Sequence, residues 1–94
     1  MRFDWDERKN LSNYRKHRVL FETAMLVFDD PDLLMDQDRE VDGEARWQTL
    51  GRVTGVLLLL VAHTLEDEEG EELVRIISAR TATPMERRRY ERIH

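Results

Sequence analysis

The hydrophobic positions change period along the chain, and each period predicts an element. Residues 2–5 alternate polar and apolar, which reads as a short first strand. Asp6 stands where an N-cap belongs, ahead of a polar helix over residues 7–16 whose apolar contacts are Leu11 and Tyr14. Phe21, Ala24, Met25 and Phe28 recur at i, i+3, i+4 and i+7, the spacing of an amphipathic second helix, which Asp29-Asp30-Pro31 ends. Leu33, Leu34 and Met35 predict a second strand, followed by an acidic loop to Glu44. Residues 46–53, the turn Thr54-Gly55 and residues 56–64 read as a hairpin. The apolar run over 56–61 has no alternation, as expected of a central strand covered on both faces. An acidic turn over 66–72, around Gly70, leads to the third strand of a meander over 73–80, with Val74, Ile76, Ser78 and Arg80 sharing one face. Thr83-Pro84-Met85-Glu86 joins a capping box to a proline at the first helical position, so a last helix runs to Arg92. The order predicts an α+β fold: a small antiparallel sheet with two N-terminal helices and a C-terminal helix.

Composition narrows this picture. A chain of 94 residues is one small domain, 1–94, and 40% apolar residues suffice for a compact but thin core. The absence of cysteine excludes disulfides, thiolate zinc sites and a cysteine nucleophile. The longest apolar run, 56–62, is too short to cross a bilayer, and Met1-Arg2-Phe3-Asp4 carries no signal-peptide core. A soluble cytoplasmic protein without membrane contact is expected.

Charge is segregated beneath the net −5. Residues 1–18 carry +3, 19–44 carry −8, 45–65 carry +2, 66–72 carry −6 and 73–94 carry +4. Both ends of the chain are therefore basic. If they meet, they form one basic face suited to phosphates on an otherwise acidic protein.

Candidate chemistry is limited. His17, His63 and His94 are scattered, with no paired metal-ligand spacing, so no metal and no cofactor is expected. The acidic turn lacks a calcium-loop pattern, no glycine motif for phosphate is present, and Ser12 and Ser78 lie outside any nucleophile elbow. There remain arginines beside a few titratable groups. Lys16-His17 closes the first helix, Glu44 and Arg46 enter the first long strand, and Arg80 ends the last strand just before a helix. Arg87, Arg88, Arg89 and Tyr90 lie on the final helix. Arginines and helix N-termini suit phosphate oxygens, and histidine moves protons near neutral pH. Structural roles compete. Lys16-His17 also suits a helix C-terminus, Arg80 also suits an ion pair with Glu86 or Glu44, and Arg87 to Arg89 point in three directions. His63, in the central strand, reads as a structural histidine, and Trp47 as a core residue.

Taken in order, several stretches resemble the BrnT toxins of BrnT/BrnA type II toxin–antitoxin systems. They are Phe3-Asp4-Trp5-Asp6, Lys9, Asn13 and Lys16-His17 at the start. Phe21-Glu22, Ala24, Val27-Phe28-Asp29-Asp30-Pro31, Glu44-Ala45-Arg46 and Gly51 follow. The tail is the most specific: Arg75-Ile76-Ile77-Ser78-Ala79-Arg80, Ala82-Thr83, Glu86-Arg87 and Tyr90-Glu91. Two positions depart. Arg18 stands where the family usually has glycine, and Leu20 replaces a Ser/Thr N-cap, a loss of about 1 kcal/mol. The resemblance implies a RelE-like fold and a ribonuclease that arrests translation and growth. It also implies a BrnA antitoxin with a ribbon-helix-helix domain, through which alone the pair contacts DNA. Implied with it is a metal-independent endoribonuclease in which the RNA 2′-OH attacks the adjacent phosphorus and expels the 5′-oxygen. Arg46 and Arg80 are the expected phosphate cations, Glu44 or His17 the base, and Lys16 an electrostatic aid. Arg87, Arg88, Arg89 and Tyr90 are the expected substrate-binding set, and the acidic turn should lie away from the RNA. The alternative is a non-enzymatic module that partners a DNA-binding repressor.

Overall fold

The computed structural model describes residues 1–93; His94 lies outside the described residues. The elements are β1 (Arg2–Asp4), α1 (Glu7–His17), α2 (Phe21–Ala24), a 3-10 turn (Met25–Asp29), β2 (Leu34–Val41), β3 (Glu44–Thr54), β4 (Leu57–His63), β5 (Glu66–Glu68), β6 (Glu71–Thr81) and α3 (Pro84–Ile93). The sheet runs β1-β6-β4-β3-β2, with β5 also paired to β6. The α+β expectation holds, but the sheet is mixed: β1 runs parallel to β6, pairing Arg2, Phe3 and Asp4 with Leu73, Val74 and Arg75. This direction delivers the chain beside the middle of β6, so α1 can follow that strand's outer edge. Phe3 locks the arrangement by packing on Phe28, ring centroids 5.3 Å apart.

The apolar run is covered on both faces over residues 57–61, as expected of a central strand, but Val56 belongs to the turn before β4 and is exposed. Leu59 and Val61 join Phe21, Ala24, Val27, Val74, Ile76 and Ala79 on the face under α1 and α2. Leu58 and Leu60 join Leu50 and Tyr90 under α3. His63 ends β4 fully buried, its ring edge-on to Phe28. Its Nδ1 lies 2.8 Å from the Thr64 carbonyl, which requires a proton on that nitrogen. Nε2 then accepts from the Thr49 hydroxyl at 2.7 Å. Burial pushes the imidazole below its ordinary pKa, against the Thr64 hydrogen bond that raises it. His63 is a neutral core residue. Trp47, expected in the core, is half-buried opposite it.

Several expectations are corrected. The acidic stretch after Met35 is not a loop. It is most of β2, an edge strand that turns through Asp42-Gly43, at φ 50° and 79°, into β3. Two successive positive φ angles match the twist of a tight hairpin, and charge on both faces guards the exposed edge. The acidic turn over 66–72 is likewise a hairpin, β5 to β6 through Glu69-Gly70. The amphipathic second helix is one α-helical turn followed by 3-10 winding. Here the backbone meets β3: a Cβ on Gly51 would lie 2.9 Å from both Cβ and the carbonyl oxygen of Val27. Finally, Val74, Ile76, Ser78 and Arg80 do not share a face. One step on β4, from Ala62 to His63, spans two on β6, from Ser78 to Ile76. The extra residue, Ile77, is a bulge that moves Ser78 and Arg80 to the side of α3.

The first helix also differs from its expected packing. Leu11 and Tyr14 are 50% and 40% exposed, and the residues that α1 buries are Asn10 and Asn13. The reason lies in what α1 packs against. Beyond Arg75 no strand among the described residues pairs with the outer edge of β6, so its backbone groups need other partners. Asn13 supplies them. Its Oδ1 accepts from the Ala79 amide at 3.1 Å, and its Nδ2 donates to the carbonyls of Ala79, 2.8 Å, and Val19, 2.9 Å. Asn10 Oδ1 accepts the Phe21 amide at 2.8 Å, which caps α2 where Leu20 has no capping side chain. At the end of α1, Arg18 takes the left-handed conformation, φ 60°, and its amide donates to the Tyr14 carbonyl at 2.8 Å. The helix therefore ends in the shape that glycine favours although an arginine occupies it.

Two stability outcomes follow from these contacts. Asn13→Ala orphans three buried backbone groups and should lower unfolding free energy by about 3 kcal/mol, read as a lower urea midpoint. Arg18→Gly removes the left-handed strain and should raise stability by about 0.5–1 kcal/mol, less whatever the Arg18–Tyr14 cation–π contact contributes.

Candidate functional site

Because α1 lies along the outer edge of β6, a groove runs between them. One part, about 190 Å³, is lined by Lys9, Ser12, Asn13, Lys16 and His17 from α1 and by Ile77 and Ser78 from β6. It continues past Lys9 and Ile77 into a second part of about 320 Å³ bounded by Asp4, Trp5, Asp6 and Arg75. The two ends differ electrostatically. At the second, Asp4 pairs with Arg75 at 3.0 Å, and Asp6 caps α1 by accepting from the Arg8 amide at 2.8 Å. At the first, Lys16 and His17 form the last turn of α1, where the helix dipole favours positive charge. Among the described residues no ion pair ties Lys9, Lys16 or His17, and no carboxylate lines that end. The acidic β5–β6 hairpin is at the far end of the long strand, with Gly70 about 30 Å from Arg80 at the rise of an extended chain.

The other candidates occupy the α3 side of the sheet. Arg80 follows Ser78 by two residues, but its guanidinium forks onto Glu86, Nη1 to Oε1 at 2.8 Å and Nη2 to Oε2 at 2.9 Å. Glu86 also accepts the Thr83 amide at 2.9 Å, and Thr83 Oγ1 accepts the Glu86 amide at 3.2 Å. The capping box is therefore built, and Arg80 is clamped to it. The Arg80 hydrogen bond holds Glu86 below its ordinary pKa against burial, with help from the Thr83 amide and the Arg80 charge. The same Glu86 bond raises Arg80.

Glu44 and Arg46 pair at 3.7 Å at the start of β3. Arg46 Nε is buried there without a hydrogen-bond partner, as is Oγ1 of Thr64. The strand register separates Arg46 from Arg80 by about 16 Å, four residues along and two strands across. On α3 the residues diverge. Arg87 donates to the Val56 carbonyl at 2.9 Å, Arg89 pairs with Asp36, and Arg88 is exposed. Tyr90 is buried; its hydroxyl donates to Asp30 at 2.6 Å, and the Arg52 guanidinium lies 5.3 Å from its ring centre. Asp30 also accepts the Arg52 amide at 2.7 Å. Burial raises the Asp30 carboxyl, but the bonds from Tyr90, Arg52 and Asp32 outweigh it and leave it lowered.

The structure thus gathers Lys16 and His17 with Ser78, holds Arg80 on the α3 side against Glu86, and leaves Glu44 and Arg46 across the sheet. Asn13, Ser78 and Asp30 were not singled out from sequence as parts of a site. Two asparagines three apart on a polar helix were the available signal for the first. Among the described residues no three His, Asp or Glu side chains gather to hold a metal ion. No described helix is long and apolar enough to cross a membrane.

The fold of this chain, a mixed six-stranded sheet with three α-helices among the described residues, is similar to that of a solved toxin. The crystal structure of the Brucella abortus ribonuclease toxin BrnT matches over 88% of this chain and 97% of that one, with a TM-score of 0.64 and 24% identity. The family described as the ribonuclease toxin BrnT of type II toxin–antitoxin systems matches residues 5–86, and the chain belongs to this family. No curated relative matches.

The Arg80–Glu86 pair makes a pH-dependent contribution. Glu86→Gln keeps a capping acceptor but loses the charge pair, and should cost about 1 kcal/mol near pH 7. Because the folded pKa of Glu86 lies below that of an ordinary glutamate, the pair contributes fully above the ordinary value. The contribution fades as pH falls through the folded value, so wild type and variant should converge in acid denaturation curves.

Proposed function

We propose that the chain is a metal-independent endoribonuclease that binds and cuts RNA in the groove between α1 and β6, with residues 1–94 acting as one RelE-like toxin domain. The observation that carries this reading is the pair of lysines in no ion pair among the described residues, Lys9 and Lys16, with His17 beside them, along one wall of an open groove in a ribonuclease-toxin family member. Such a wall attracts a phosphate backbone, while the acidic hairpin at the opposite end of β6 keeps the strand from extending that way.

In this reading His17 accepts the proton of the 2′-OH as O2′ bonds to the adjacent phosphorus. The P–O5′ bond breaks, and the 5′-oxygen takes a proton from a cationic donor in the groove, for which Lys16 is placed. The products are a 2′,3′-cyclic phosphate and a free 5′-hydroxyl. Lys16 also offsets the charge added to the phosphoryl oxygens. Arg80 joins by exchanging the Glu86 carboxylate for a phosphate, a swap its exposed position permits. Glu44 is the alternative base, and Arg46 beside it contacts a different phosphate of the same strand. Arg88 is the α3 residue free to meet RNA, while Arg87, Arg89 and Tyr90 hold α3 in place. RNA loss arrests translation and growth. The neutralising partner is a BrnA-like antitoxin whose ribbon-helix-helix domain makes the contact to DNA, and the setting is the cytoplasm.

The test is induced expression with RNA integrity read from the same cultures. Wild type should arrest growth and degrade RNA, while folded His17→Gln and Arg80→Ala should do neither, a loss of at least about a hundredfold in cleavage for removal of a proton-transfer group. Normal growth and intact RNA with folded wild type would favour the non-enzymatic module that partners a repressor.

A further inference from the structure

His17 borders a second hollow, on the side of α1 away from the groove's far end. About 210 Å³ lies between the end of α1, the start of α2 and the ends of β4 and β6, lined by Tyr14, Val19, Leu20, Leu57 and Leu59. Leu20 and Tyr14 remain 38% and 40% exposed, and Val56, next to Leu57, is 79% exposed. In a protein with 20 acidic residues, no carboxylate of the described residues lines this cleft; Arg18 and His17 stand at its rim, with Thr23 and Thr81. An apolar floor with Arg18 and an imidazole at the rim suits apolar side chains flanked by Asp or Glu. It suits a stacked nucleobase poorly, because the face of Tyr14 is already covered by the Arg18 guanidinium, 5.5 Å from the ring centre.

A type II toxin implies an antitoxin partner. We propose that the cleft is the docking site for an antitoxin segment carrying a large apolar residue between carboxylates, and that its seating blocks the groove at His17. The inference rests on the toxin reading above and adds where and how the partner engages. Leu20 inserts into the cleft from the N-cap of α2, so burying it against the segment leaves the helix register unchanged. The carboxylates reach Arg18 and His17, and the latter is then unavailable to RNA. Neutralisation is direct occlusion, with no change of fold.

The test uses the chain and its co-expressed BrnA-like antitoxin. Leu20→Asp places a carboxylate on the rim at a position where Asp also caps a helix, so the fold is kept. Leu20→Ser supplies the cap without the charge. Calorimetric affinity should fall at least about tenfold for Leu20→Asp and for Arg18→Glu, and less for Leu20→Ser. RNA cleavage by free Leu20→Asp should stay near wild type. In the complex, hydrogen exchange should slow at residues 14–23 and 57–59. Equal affinity of all variants, or protection confined elsewhere, overturns the docking site while the toxin reading stands. Loss of cleavage with unchanged antitoxin affinity assigns the cleft to RNA instead. A dimer of the free chain that Leu20→Asp dissociates assigns it to a second copy. A folded wild type that binds no antitoxin removes the toxin reading as well.

Discussion

Strand β6 is longer than the strand beside it, and the backbone it leaves unpaired beyond Arg75 is the constraint from which the N-terminal half of the molecule follows. An amide and a carbonyl at Ala79 must find partners away from water. A carboxamide donates and accepts through two separate atoms, and Asn13 presents one to each group. The same nitrogen reaches Val19, so the chain after α1 is drawn onto the sheet and Val19 and Phe21 enter the core. A helix that satisfies a strand edge needs few apolar residues, which explains why α1 is so polar and why it still packs tightly.

That choice of contact also positions the chemistry. With its buried side committed to Asn10 and Asn13, α1 turns Lys9, Ser12, Lys16 and His17 toward the rim of the strand edge rather than into open solvent. The Ile77 bulge then places Ser78 and Arg80 on the opposite face from Ile76, so the last strand contributes core on one side and charge on the other. On the α3 side, two carboxylates do the organising. Asp30 collects Tyr90 and the Arg52 amide, and Glu86 collects Arg80 and the Thr83 amide. Each holds a helix to the sheet, and each is kept ionised by its donors. Arg80 is neutralised by Glu86, while Lys9 and Lys16 on α1 are in no ion pair among the described residues.

Local signals were legible where a single residue type has one physical use. The β4 run 57–61 lacks alternation because both faces are covered, and Thr83-Pro84-Met85-Glu86 is a capping box with its hydrogen bonds made. His63 was legible as structural because it sits in that strand. β2 was not, since an edge strand clothed in Asp and Glu has no hydrophobic period to read. The candidate site was legible in part. Lys16 and His17 share a groove, but that Arg80 lies on the α3 side, clamped to Glu86 and about 16 Å from Arg46, depends on register.

The amino-acid sequence by itself determined the class of fold, the central strand, the last helix and the family, because periodicity, caps and ordered motifs are local properties of the chain. Tertiary structure alone decided the parallel β1, the bulge at Ile77, the burial of Asn10 and Asn13 and the grouping of cations along β6. Each of these depends on which backbone groups another segment leaves unsatisfied, and that is known only once the segments meet.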